Sequence, residues 1–309
     1  MSAQKPRLFI HEVAARDGFQ NESVFVDTDD KIAFVDRLSA SGFAKIEATS
    51  FTSPKAIPAL KDAEAVMHQI ARNPDVIYTV LVPNVRGAER ALECNVDEVN
   101  LVMSVSETHN QANMRMTREQ SFAQLAEIVA AMRDTRVALN LSLSTVFGCP
   151  MEGDIALQDV HALVDRFSQL GVAGITLCDT TGMAYPSQVN QVAKHMKAHF
   201  GHLEFTMHFH NTRGMALANT LEAIDAGIDR FDASLGGIGG CPYAPGASGN
   251  VCTEELVHML ELMGYDTGVD LDGIIDIAGS LPRLIGHDVP SQILKAGPRT
   301  RLHRPPHRQ

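Results

Sequence analysis

Leu8–Phe51, LFIHEVAARDGFQNESVFVDTDDKIAFVDRLSASGFAKIEATSF, contains one full turn of the pattern that decides the fold. Its two ends, LFIHEVA and FAKIEATSF, are short runs with the composition of strands. The segment between them, DTDDKIAFVDRLSASG, has helical period, with Asp27 or Thr28 placed to cap it. The connection EVAARDGFQNE is not the glycine fingerprint that usually follows the first strand of an open, doubly wound sheet. A strand, a turn without a phosphate loop, a helix and a second strand therefore point to a closed barrel.

The pattern repeats along the chain. Six further runs read as strands: VIYTVLV, EVNLVMSVS, VALNLSLST, GITLCDT, EFTMHFH and RFDASLGG. Helical stretches alternate with them, among them TREQSFAQLAEIVAAMRDT and LQDVHALVDRFSQLG, which close on polar residues or glycine. Eight such units in roughly 250 residues are what an α/β (β/α)8 TIM barrel requires. The reading is a single catalytic domain over residues 1–309 with no dividing linker. The barrel is expected over about 6–265. Extra C-terminal helices at about 266–299 pack on or cap it, and a disordered basic tail at about 300–309 follows.

The 309 residues are 45% hydrophobic, enough for a sizeable core. A formal net charge of -11 argues against a nucleic-acid or anionic-membrane partner. Cys94, Cys149, Cys178, Cys241 and Cys252 are odd in number and fit no disulfide framework or zinc motif. That usage suggests a reducing, cytoplasmic setting. The first residues lack a signal-peptide pattern, and no window has the apolar length of a membrane helix. Homo-oligomer formation is left open.

In such a barrel the chemistry gathers where strands end. Arg16 and Asp17 follow the first strand, and Glu47 ends the second. Ser106, Glu107, His109, Asn110 and Asn113 follow the fourth, and Asp179 ends the sixth. His208 and His210 end the seventh, and the glycine-rich SLGGIGGCPYAPGASGN, with Cys241 and Asn250, follows the eighth. His208 and His210 are two apart on a strand, so both imidazoles leave the same face. Two imidazole nitrogens, a carboxylate from Asp17 and an amide oxygen from Asn250 suit a six-coordinate divalent ion, Mg²⁺ or Mn²⁺. Zinc would more often recruit a thiolate or a third histidine. Taken singly, each of these residues has an ordinary structural reading as a salt bridge, cap or turn. The argument rests on their convergence at one rim.

EVAARDGFQNE, IEATSFTSPKAIP, GCPMEGD, HFHNTRGMALANTL and GGIGGCPYAPGASGN together resemble the 3-hydroxy-3-methylglutaryl-CoA lyase family, within the DRE-TIM metallolyases. The resemblance runs from about Phe9 to about Asp266 and is most specific in the Arg-Asp-Gly segment and the glycine–cysteine loop. It implies a carbon–carbon lyase acting on a small-molecule acyl-CoA, with acetyl-CoA and acetoacetate as products in a pathway such as leucine degradation. Related branched 3-hydroxyacyl-CoA substrates, or a condensing reaction of the same superfamily, are the alternatives. It implies metal ligation by Asp17, His208, His210 and Asn250. Arg16 would polarise the thioester, Cys241 would act from a closing loop, and His208, Glu47 and Asp179 would be further catalytic groups. Ser50 and Asn113, with Arg16, would contact substrate. The chain departs from the common pattern at Phe19, Met151, Phe209, Asn211, Arg213 and Cys252; Phe19 and Arg213 are the positions expected to bear on the acyl group.

Overall fold

Each β-rich run contains one strand of a closed parallel barrel in the computed structural model, which describes residues 5–240 and 249–304. The strands are β1 (Phe9–Glu12), β2 (Lys45–Ser50), β3 (Ile77–Leu81), β4 (Glu98–Ser104), β5 (Ala138–Ser144), β6 (Gly174–Asp179), β7 (Glu204–Phe209) and β8 (Arg230–Ala233). They pair in sequence order, and β8 closes on β1 with Phe9 opposite Arg230 and Glu12 opposite Ala233.

The outer ring begins with α1 (Thr28–Ser39), α2 (Ala63–Gln69), α3 (Val85–Glu93), α4 (Glu107–Met114), α5 (Arg118–Met132) and α6 (Leu157–Leu170). It continues with α7 (Pro186–His199), α8 (Ala216–Asp225) and α9 (Thr253–Leu262). Asp27 stands at the start of α1 in extended conformation, but its side chain makes no capping bond. Thr28 is turned to Asp62 instead, donating at 2.8 Å. Helix α5 starts with a full capping box, Thr117 with Gln120, and α6 stops at Gly171 with φ of 92°.

Beyond the barrel come α10 (Leu271–Ala278), α11 (Leu281–Ile285) and α12 (Gln292–Ala296). Ile274, Ile277, Leu281 and Ile285 join the main core. Gly236, after β8, lies against Leu281 and Val289 so closely that a Cβ there would sit 2.9 Å from Leu281 Cδ1. The extension thus buttresses the loop that follows the last strand. Residues 301–304 are exposed and carry no regular structure.

Residues facing the helices, such as Ile46, Val80, Val99, Leu141 and Ile175, are fully buried and apolar. The barrel axis is different. Branched apolar residues usually fill it, but here Asn100, Asn140, Ser142, Thr176 and Glu47 form one hydrogen-bonded network. Below it Lys45 pairs with Glu98 at 2.7 Å. The cavity left among these groups is about 10 Å³, room for no more than one water. A polar axis of this kind is costly unless every member is paired, and when paired it fixes side-chain positions rigidly.

Candidate active site

The first strand does not run straight into a helix. The N–H groups of Arg16, Asp17 and Gly18 all turn back to the carbonyl of Val13, making a wide turn over Ala14–Gly18. Wide turns of this type occur frequently at functional sites. This one throws Arg16 and Asp17 across the mouth. Glu12, fully buried below it, accepts from Ala14 N–H (2.8 Å), Leu235 N–H (3.0 Å) and the Thr253 hydroxyl (2.7 Å). One carboxyl therefore ties together β1, the loop after β8 and the start of α9. Burial pushes its pKa up to about 8.

Arg16 donates to Asp17 Oδ1 at 2.8 Å and lies 2.6 Å from Glu47 Oε2. Burial opposes its charge, but Glu47 and Asp17 raise its pKa above the ordinary value, so it is a fixed cation. Glu47 also accepts from Asn100 at 2.9 Å, which anchors Arg16 to the polar axis. A register shift between Glu47 and Thr49 bends β2 at this point.

His208 and His210 leave β7 on the same side, with ring centroids 5.2 Å apart. One potential ligand atom from each of Asp17, His208 and His210 lies within 4.8 Å of the others. His208 Nδ1 is 3.1 Å from Asp232 Oδ2, and the other oxygen of Asp232 is 3.1 Å from His11 Nδ1. Metal-binding histidines characteristically give their second nitrogen to such a carboxylate. Burial disfavours the His208 cation, yet Asp232 and then Asp17 hold its pKa above the ordinary value. His210 is pushed down to about 3 by burial and by His208, so its ring is neutral at physiological pH. Its Nδ1 is buried with no hydrogen-bond partner among the described residues. Such an orphan costs free energy unless something binds there. A carboxylate, two imidazoles and this orphan fit a divalent cation.

Asn250 reaches the same place through a backbone bridge with His210. Its amide nitrogen, rather than its oxygen, faces Asp17 Oδ2 at 2.7 Å, and it also donates to the carbonyls of Ile238 (3.0 Å) and Gly239 (3.3 Å). Serving as a ligand would require a half-turn of the amide, an orientation fixed only by its partners. Gly239 packs over this contact: with φ of +94°, a Cβ would lie 2.7 Å from the Asn250 amide nitrogen and 2.8 Å from the Asp17 carbonyl.

Asp179 reaches the rim with its Oδ1 occupied by the N–H groups of Met183 (2.7 Å) and Ala184 (3.0 Å). Its buried Oδ2 has no partner, and burial raises the carboxyl to about 7. Ser50 is turned into its own loop, 2.8 Å from the Thr52 hydroxyl. Asn113 is exposed on α4. Cys241 lies outside the described residues. The residues that flank 241–248 are fixed at the rim: Asn21 donates to the Gly240 carbonyl at 2.7 Å, and Asn211 N–H to the Gly249 carbonyl at 2.9 Å.

The polar cluster after β4 builds structure. Ser106 caps α4 through the His109 N–H, Asn110 bridges Ser104 to Met116 and Ser121, and Glu107 pairs with Arg118. Phe19 is a core residue stacked on Phe34 with centroids 5.1 Å apart, and Arg213 donates to the carbonyls of Thr181 and Gly182. Asp232, His11 and Glu12 went unmarked in the sequence. Their signal is an ionisable residue inside a strand run; alternation turns His11 and Asp232 toward the barrel axis and Glu12, the neighbour of His11, to the opposite face.

The profile of the HMGL-like family matches residues 7–280. An HMG-CoA lyase from Acinetobacter baumannii, solved in complex with coenzyme A and 3-methylmalate, is 51% identical, with a TM-score of 0.94 over 99% of this chain and 100% of that one. The hydroxymethylglutaryl-CoA lyase YngG of Bacillus subtilis is 43% identical over 289 residues, 94% of this chain and 97% of that protein. The (R)-citramalyl-CoA lyase of Chloroflexus aurantiacus is 34% identical over 94% of each.

Proposed function

Because this chain belongs to the HMGL-like family, we propose that it is a carbon–carbon lyase that cleaves 3-hydroxy-3-methylglutaryl-CoA to acetyl-CoA and acetoacetate. The observation that carries the reading is the mouth itself. A fixed guanidinium, Arg16, stands beside Asp17, which shares one small volume with His208 and His210.

Asp17, His208 and His210 would hold a divalent cation, Mg²⁺ or Mn²⁺, with Asn250 as a fourth ligand once its amide has turned. When bound, such an ion lowers the pKa of a chelated hydroxyl and orients it. The chain's own groups do the rest. The tertiary hydroxyl of the substrate gives up its proton to a base at the rim. Asp179, with a free oxygen and a pKa of about 7, is matched to that task. His208 is the second candidate. The bond between the thioester α-carbon and the carbinol carbon then breaks. Its electron pair passes to the α-carbon, and the carbinol carbon becomes the ketone of acetoacetate. Arg16 faces the charge that develops on the thioester oxygen, and Glu47 holds Arg16 in place. The Cys241 thiol protonates the enolate carbon. Ser50 and Asn113 supply polar contacts to the substrate. The setting is cytoplasmic, and no described helix is long and apolar enough to cross a membrane.

Acetyl-CoA release from 3-hydroxy-3-methylglutaryl-CoA, measured with Mg²⁺, with Mn²⁺ and with chelator, tests this. Rapid, chelator-sensitive release that is lost in Cys241→Ser is expected. Absence of release from a protein that still binds Mn²⁺ overturns the substrate assignment. The Chloroflexus relative favours citramalyl-CoA as the second substrate to try.

A further inference from the structure

A second cluster of imidazoles lies well apart from the mouth, on the outside of the barrel. His195 and His199 are one turn apart on α7 and share a helix face. His161 reaches toward them from α6. One potential ligand nitrogen from each of the three lies within 4.8 Å of the others. His161 Nδ1 and His195 Nε2 are 3.0 Å apart, and the His195 and His199 rings are 4.1 Å apart between centroids. Two imidazole nitrogens bound at 2.0–2.1 Å to one tetrahedral ion stand about 3.3 Å apart, close to this spacing.

A second feature points the same way. His199 Nδ1 donates to the carbonyl of His195 at 2.8 Å. A backbone carbonyl on one ring nitrogen fixes the tautomer and leaves Nε2 with a bare lone pair, as in metal-ligating histidines. The contact between His161 and His195 is held by one shared proton; for both nitrogens to face an ion, the ring that carries it changes tautomer and holds its proton on the other nitrogen. His161 and His195 are half-buried and His199 is exposed, so an ion has a direct path in.

We propose that His161, His195 and His199 form a second metal site that takes a late first-row divalent ion, Zn²⁺ above all, and clips α6 to α7. Three neutral nitrogens and no carboxylate are a poor set for Mg²⁺, which demands oxygen, and a good one for zinc, with water completing the tetrahedron. The two sites thus differ in the ion they prefer.

The test uses the full-length protein stripped with chelator and held in saturating Mg²⁺. Zn²⁺ binding is followed by equilibrium dialysis with metal analysis, for the natural protein and for the double variant His161→Gln/His199→Gln. The variant is expected to bind one equivalent of Zn²⁺ fewer. Either single change should weaken that site by at least about tenfold, the effect that even outer-shell partners have. Zn²⁺ should raise the melting temperature of the natural protein more than that of the variant. Equal stoichiometry in the two proteins overturns the proposal. Mn²⁺ binding at the mouth, unchanged in the variant, shows that it is folded and that the loss is local.

Discussion

Replacing Asp232 by asparagine tests how the mouth is held. In the structure one carboxylate is shared, with Oδ1 3.1 Å from His11 and Oδ2 3.1 Å from His208. Burial works against its charge, but the two histidines hold its pKa well below the usual carboxylate range, so it is an anion. An amide keeps one acceptor and puts an N–H where the other was. Whichever way it turns, one histidine loses its acceptor. If His208 loses it, the ring moves its proton to the nitrogen that faces the cation site. Loss of such an outer-shell carboxylate typically costs 10–100-fold in metal affinity, about 1.4–2.7 kcal/mol. Free Mn²⁺ measured by electron paramagnetic resonance during titration gives the dissociation constant without reference to catalysis. The expected outcome is weakening by one to two decades. His11→Gln leaves the bond between Asp232 and His208 in place and should stay within about threefold of the natural protein. An Asp232→Asn constant inside that same threefold range would refute the argument that this carboxylate orients a ligand.

The other expectations concern charge and backbone. Glu12 keeps its proton to about pH 8 in the folded chain, against 4.5 ordinarily. Between those values the folded state binds the extra proton, so its contribution to stability is complete at low pH and is lost as pH rises through 8. The loss is about 5 kcal/mol. Glu12→Gln should flatten the fall in denaturation free energy between pH 5 and pH 9, and an unchanged slope would exclude Glu12 as its source. Arg16→Gln should lower kcat about 10²–10³-fold. It should also lower the melting temperature, because Asp17 and Glu47 are left as buried charges without their partner; a normal kcat would remove Arg16 from the chemistry. Gly239→Ala should weaken Mn²⁺ binding by about tenfold, since its methyl must displace Asn250 or Asp17. Binding equal to that of the natural protein would show that the loop gives way freely.

The barrel was legible because parallel strands and their helices each leave a periodic signature, and eight such pairs have few other solutions. The convergence of Asp17, His208 and His210 was legible for a related reason: alternation puts His208 and His210 on one face whatever the rest of the chain does. Asp232 and His11 were not, because a lone acid or histidine in an apolar strand shows its purpose only when the strand opposite is known. The β4 cluster shows its partners only in the structure. Ser106, His109 and Asn110 are as polar as the residues at the mouth, but Ser106 caps α4, the His109 ring meets the Ser104 hydroxyl, and Asn110 ties Ser104 to Met116 and Ser121. The core packing of Phe19 against Phe34 and the bonds from Arg213 to the Thr181 and Gly182 carbonyls carry no periodic signal either. Distances within a chain segment can be inferred from its period, but the partner across the barrel cannot.

Gly239 and Gly249 also bear on how related sequences are read. At 239 a Cβ would meet the Asn250 amide and the Asp17 backbone, and at 249 it would lie 1.9 Å from the Gly237 carbonyl. Neither position supplies an atom to the chemistry, yet each leaves a space that the ligands and their loop require. A homologue can keep Asp17, His208, His210 and Asn250 and still be inert if either space is filled. In sorting active lyases from silent relatives, these two absent side chains are as diagnostic as the four residues proposed to hold the ion.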